Sequence, residues 1–184
     1  LPQDLPLAHQ RVFLRCDFNV PLKNGVIQDF SRIQAALPTI DFLLKQECSI
    51  VLASHLGRPK SGFESSLSLE PIGSDLRSRG YNVQLDDFQD QEATRVRSEQ
   101  LNQGQILLLE NVRFYSGETK NDESLGQFYG SLAPFYINDA FGAAHRAHAS
   151  VVSALQYFKP GHIAAGFLME KEIKGLNHIL HPQK

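Results

Sequence analysis

Ser49-Ile50-Val51-Leu52-Ala53-Ser54-His55-Leu56-Gly57-Arg58-Pro59 joins a short apolar run to a polar turn. The run shows no alternation of apolar and polar residues, so a strand built from it would be buried on both faces, as in a parallel sheet covered by helices. Similar runs lie at residues 12–14, 105–109 and 134–137, with further candidates at 81–85 and 161–165. Helical patterns fall between them, at 31–46, 71–80, 91–104, 121–132 and 168–180. Pro38 should kink the first of these or open a second segment, because proline has no amide hydrogen. Pro71 early and Gly80 just past the end suit helix termini. Leu125, Phe128, Tyr129 and Leu132 make an apolar stripe at helical spacing that should pack on the sheet. Asn24-Gly25 predicts a small hairpin. The alternation predicts an α/β fold, an open and mainly parallel Rossmann-like sheet with helices on both faces. No internal repeat is visible.

The chain has 184 residues, 42% of them hydrophobic and 21% charged, which is ordinary globular composition and excludes a disordered or collagenous protein. Its apolar runs stop far short of the roughly 18 residues of a membrane helix, so a soluble protein is expected. A net charge of −2, from 18 Lys and Arg against 20 Asp and Glu, gives no global field to attract nucleic acid or an anionic membrane. Any anion site must be local. Cys16 and Cys48 have neither the number of a disulfide framework nor zinc-site spacing, and are expected to be buried free thiols in a reducing, cytoplasmic compartment. The N-terminal residues carry no export signal.

The polar residues cluster after the strands. Asp17-Phe18-Asn19 follows the first, 54–59 the second, Glu110-Asn111-Val112-Arg113-Phe114 the run at 105–109, and 138–148 the run at 134–137. In a parallel sheet those ends share one edge, where open α/β folds bind ligands. Arg58, Arg113, Arg146, His55, His145 and His148 would converge there beside Asp17 and Asn19. Guanidinium groups present a planar fork that fits phosphate or carboxylate, so the set suits a small polyanion. Singly, each residue has an alternative. Arg15 reads as half of a structural ion pair, Asp139 as a structural hydrogen-bonding group rather than a metal ligand, His148 equally as packing, and Asp17 and Asn19 as turn caps. No phosphate-binding G-x-x-x-x-G-K-[ST] loop, G-x-G-x-x-G fingerprint or G-x-S-x-G elbow occurs, which weakens a dinucleotide-enzyme reading.

Arg15-Cys16-Asp17-Phe18-Asn19-Val20-Pro21 and the segments at 54–59, 110–114 and 138–150 together resemble the N-terminal half of phosphoglycerate kinases. Asp29-Phe30-Ser31-Arg32-Ile33, Gly117-Glu118-Thr119-Lys120-Asn121-Asp122 and the segment at 165–172 extend the resemblance, in the family's order, over nearly the whole chain. It implies reversible phosphoryl transfer from 1,3-bisphosphoglycerate to ADP, giving 3-phosphoglycerate and ATP. By the same resemblance Asp17 and Asn19 orient the glycerate, while His55, Arg58, Arg113 and Arg146 hold the non-transferred phosphate with His145 nearby. The resemblance further implies that Arg32 binds substrate and faces the transferring group as the catalytic residue. Residues 1–167 would form the phosphoglycerate-binding domain and 168–184 a helix like the family's interdomain connector. The expected partner is a C-terminal nucleotide-binding domain, absent here, that would take Mg-ADP or Mg-ATP; this chain is expected to hold no metal or cofactor, and to be inactive alone. Ala143 stands where many relatives have Thr, and Cys16 where an aliphatic residue is common. A non-catalytic anion-binding or regulatory module derived from that domain is the alternative.

Overall fold

The computed structural model describes residues 1–87 and 90–180. Strand β1 (Arg11–Arg15) is followed by a hairpin of β2 (Leu22–Lys23) and β3 (Val26–Ile27), helix α1 (Ser31–Lys45) and β4 (Ser49–Ala53). Then come α2 (Glu70–Ser78), β5 (Asn82–Leu85), α3 (Gln91–Glu99), β6 (Gln105–Leu108), α4 (Glu123–Ser131), β7 (Phe135–Asn138), β8 (Ile163–Ala165) and α5 (Phe167–Leu180). The hairpin turn has positive φ at both Asn24 and Gly25, as a two-residue turn between twisted strands requires.

All the strands but β2 and β3 form one parallel sheet, in the order β5-β6-β4-β1-β7-β8. Its four central strands, β6, β4, β1 and β7, are buried from both sides. Val12, Leu14, Ile50, Leu52, Ile106 and Leu108 meet Ile33, Ala36, Ile40 and Leu43 of α1 and Ile72 and Leu76 of α2. The intervening Phe13, Val51 and Leu107 meet Leu125, Phe128 and Tyr129 of α4, with Leu132 and Phe158. Phe13 stacks on Tyr136 with ring centroids 5.6 Å apart. This two-sided burial is why the strands are apolar without alternation.

Chain order places β4 on one side of β1 and β7 on the other, so the direction of winding reverses beside β1. Arg15 is in register with Ala53 and Asn138, and Leu52 with Leu108, so four strands end together at this switch point.

Some boundaries differ from expectation. Pro38 does not divide α1, which is one continuous helix with the proline on its exposed side. The helix expected over 91–104 stops at Glu99, and the chain turns through Gly104 at φ 81°. Helix α5 runs to Leu180, while the expected end at His181-Pro182-Gln183-Lys184 lies outside the described residues. Cys16 and Cys48 are free and buried. No described helix is long and apolar enough to cross a membrane.

Candidate functional site

The loops leaving the sheet edge are tied to one another by side-chain-to-backbone hydrogen bonds. Ser54 Oγ accepts from the Phe18 amide at 2.8 Å, and Asn19 Oδ1 from the Gly57 amide at 2.9 Å. Buried Asn111 accepts from the Leu56 and Arg113 amides and donates through Nδ2 to the carbonyls of Leu56, at 2.7 Å, and Leu67. Gly57 has φ 59°, in the left-handed region, and a Cβ there would lie 2.8 Å from Leu67 Cδ2, so the turn carrying Arg58 favours glycine.

Two neighbouring cavities open on this edge. One, of about 250 Å³, is lined by Arg58, Pro59, Arg113, Thr119, Arg146 and His148, with no carboxylate among them. Arg113 donates from Nη1 to the Gly57 carbonyl at 2.7 Å, and its buried Nε has no partner among the described residues. Burial, then the charges of Arg146, Arg15 and Arg58, lowers the Arg113 pKa. The second cavity, of about 360 Å³, is lined by residues including Asp17, Ser31, Arg32, Phe141, Gly142 and Leu168. There Arg32 Nη1 donates to Asp17 Oδ1 and Oδ2 at 3.0 and 3.1 Å and to the Asn19 carbonyl at 3.0 Å. Asp17 also closes a turn by accepting from the Asn19 amide at 3.0 Å. A larger groove of about 450 Å³ between α3 and α4 contains one arginine, Arg95, already paired with Glu92 and Glu99. It does not offer an anion free guanidinium groups.

Of the residues expected at the site, Arg58, Arg113 and Arg146 meet around the smaller cavity, and Asp17 and Arg32 around the other. Asn19 bridges their loops, while His55 is buried behind them and is not among the residues lining either cavity. His145 is exposed on the 141–148 segment and is not among the residues lining either cavity. His148, readable equally as packing, lines the arginine cavity, as does Thr119, which sequence reading passed over inside the 117–122 motif.

Arg15 corrects one expectation. It is fully buried, yet its partners are a hydroxyl, a carbonyl and an imidazole, with no direct ion pair among the described residues. Nε donates to Ser150 Oγ at 2.9 Å, Nη1 to the Cys16 carbonyl, and Nη2 to His55 Nδ1 at 3.2 Å. Ser150 Oγ donates in turn to buried Glu118, which also accepts from Tyr129 OH at 3.0 Å. The countercharge therefore lies one hydroxyl away. Asp139 is structural as expected: Oδ1 accepts from the Leu168 and Met169 amides in the first turn of α5. Among the described residues no group of three or more His, Cys, Asp or Glu is placed to hold a metal ion.

A sequence model of the family described as phosphoglycerate kinase matches residues 3–184. Curated phosphoglycerate kinases of Aliarcobacter butzleri and Campylobacter concisus are 47% and 46% identical over 99% and 98% of this chain. The chain covers 46% of each, about half the length of these relatives. The solved phosphoglycerate kinase of Coxiella burnetii superposes with a TM-score of 0.84 at 38% identity, over 96% of this chain and 43% of that one. That of Pyrococcus horikoshii gives 0.83 at 30% identity, over 99% and 46%. With the parallel sheet, the switch-point crevice and a family match running almost end to end, the chain belongs to the phosphoglycerate kinase family.

Proposed function

We propose that this crevice binds the phosphoglycerate substrate of phosphoglycerate kinase, as 3-phosphoglycerate or 1,3-bisphosphoglycerate, within a longer enzyme of glycolysis. The observation that carries the reading is the cavity of Arg58, Arg113, Arg146 and His148, where three guanidinium groups face one space without a lining carboxylate. A phosphate ester with about −1.5 to −2 charge at pH 7 supplies the missing countercharge. Arg58, Arg113, Arg146 and His55 hold the non-transferred phosphate with His145 nearby, and Asp17 and Asn19 orient the glycerate. Arg32 faces the transferring group.

In the forward direction an oxygen of the ADP β-phosphate forms the new P–O bond. The bond from phosphorus to the carboxyl oxygen breaks, and 3-phosphoglycerate leaves as a carboxylate. A guanidinium at that point stabilises charge spread over the phosphoryl oxygens. The nucleotide, as its magnesium complex, is a substrate held by a C-terminal nucleotide-binding domain beyond this chain. Residues 1–167 act as the phosphoglycerate-binding domain and 168–184 as the connector toward that domain. Buried free thiols fit a reducing cytoplasm.

Titration of the chain with 3-phosphoglycerate, followed by calorimetry and by amide chemical shifts, tests the reading. Saturable binding with shifts in the 54–59, 110–114 and 141–148 segments is expected. No binding at millimolar ligand, or saturation elsewhere, overturns it.

A further inference from the structure

We infer that Arg15 is a positioning residue for His55: its buried guanidinium holds the imidazole as the neutral Nε2–H tautomer, so that Nε2–H is the donor the ring keeps for a ligand. The functional side of this inference rests on the phosphate-binding reading above; the tautomer can be measured without ligand.

A guanidinium only donates hydrogen bonds and keeps its proton at every relevant pH. Arg15 Nη2 lies 3.2 Å from His55 Nδ1, so Nδ1 must offer a lone pair and the ring proton must sit on Nε2. Protonating Nδ1 would set N–H against N–H and cation against cation in a dry place. The guanidinium cannot easily turn away, because Nε is held by Ser150 Oγ at 2.9 Å and Nη1 by the Cys16 carbonyl. Ser150 is itself fixed: its amide donates to Glu118 at 3.1 Å, its hydroxyl donates to Glu118, and its carbonyl accepts from Tyr136 OH at 2.7 Å.

The remaining charged groups facing His55 act in the same sense. Burial opposes an imidazolium most; Arg113 and Arg146, from the two segments packed beside it, add positive charge to that of Arg15, and His148 opposes it too whenever it is itself protonated, which burial and the same arginines disfavour. His55 Nε2 has no hydrogen-bond partner among the described residues, so its proton is the one the ring can give a ligand. Arg15 thus carries a charge toward the site from below and sets the direction of another residue's hydrogen bond.

Long-range ¹H–¹⁵N correlation of the imidazoles in the ¹⁵N-labelled chain, from pH 5.5 to 8, tests this, with His55 identified by the signal lost in His55→Gln. The expected pattern is protonated Nε2 and unprotonated Nδ1, unchanged across the range. An Nδ1–H tautomer, or a midpoint inside the range, overturns the inference. In a folded Arg15→Met chain, mixed tautomers and an affinity for 3-phosphoglycerate weakened by about tenfold are expected, the worth of one oriented hydrogen bond. Ser150→Ala, a milder change that keeps the guanidinium but removes the Nε acceptor together with the hydroxyl's bond to Glu118, should move both readouts the same way by less. A single unchanged tautomer in both variants overturns the inference, and Ser150→Ala decides if Arg15→Met does not fold. A wild-type Nε2–H tautomer in a chain that binds no phosphoglycerate would sink the site reading and leave the Arg15–His55 relation standing.

Discussion

His55 connects the chemistry of the crevice to the stability of the fold. Burial, reinforced by Arg15, Arg113, Arg146 and His148, lowers its pKa from 6.5 to about 2. As pH falls below about 6.5 the unfolded chain takes up a proton there and the folded chain does not. The stability this residue contributes is therefore present above that pH and is lost on acidification, at up to about 1.4 kcal/mol per unit. Between pH 7 and pH 5 the loss from this group should be about 2 kcal/mol. Denaturant unfolding of His55→Gln should show an acid loss smaller than wild type by about that amount; parallel losses would mean that His55 titrates normally in the folded chain. At Arg113 the issue is geometry rather than charge. Lysine would keep the charge but lose the fork that reaches the Gly57 carbonyl and a phosphate together. Arg113→Lys should weaken 3-phosphoglycerate binding about tenfold by calorimetry, the scale of one charge-assisted bond, and equal affinity would show that charge alone suffices. Arg58, Arg113 and Arg146 were legible in the sequence because each follows a strand. The role of Arg15 was not, since its partner Ser150 lies 135 residues away and local sequence does not reveal a hydroxyl bridging it to Glu118.

Helix α4 shows how an element's sequence can serve packing against its own helical propensity. Gly126 and Gly130 lie on the side that meets the 3-10 segment Ser153–Tyr157. A Cβ on Gly126 would sit 2.6 Å from Ser153 Cβ and 2.7 Å from its backbone carbonyl carbon, and one on Gly130 2.3 Å from Tyr157 Cβ. Replacing a helical glycine by alanine normally gains about 0.5–1 kcal/mol, whereas overpacking costs about 1–3 kcal/mol. Backbone atoms cannot swing aside as a side chain can, so the clash should win at Gly126. Gly175 in α5 has nothing within 4 Å of the same position. Thermal unfolding should therefore show Gly126→Ala less stable than wild type and Gly175→Ala more stable; two stabilised variants would mean that α4 is free to move off its neighbour. The strands and the α4 stripe were readable because their apolar periodicity is a direct record of burial. Helix ends were less so, as in the early stop of α3, where propensity alone gave no reason to end at Glu99. The continuity of α1 through Pro38 was hidden for another reason: an exposed proline costs a hydrogen bond without removing the apolar face, and Ile33, Ala36, Ile40 and Leu43 stay buried on both sides of it.

At the scale of the whole molecule, binding and turnover should separate. The arginine cavity is assembled entirely from this chain, so 3-phosphoglycerate should bind without any other part of the protein. Arg32 occupies a different position, exposed at the start of α1 and paired with Asp17 and the Asn19 carbonyl. On the proposed function, a guanidinium so placed meets a phosphoryl group arriving from outside the chain while contributing little to holding a phosphate at Arg58, Arg113 and Arg146. An interaction made mainly in the transition state lowers turnover far more than affinity when it is removed. The 184-residue chain alone should bind 3-phosphoglycerate and show no ATP-dependent turnover. Joined to the C-terminal half of a phosphoglycerate kinase, it should gain that activity. Arg32→Ala in the joined protein should lose it, on the scale of about 10²–10³-fold for one electrostatic donor to a developing charge, while phosphoglycerate affinity changes only a few-fold. Coupled assays of initial rate beside calorimetric titration would read both quantities on the same samples. Turnover by the chain alone would defeat the division of labour between the halves, and a joined Arg32→Ala protein of normal rate would remove Arg32 from the chemistry while leaving the anion site intact.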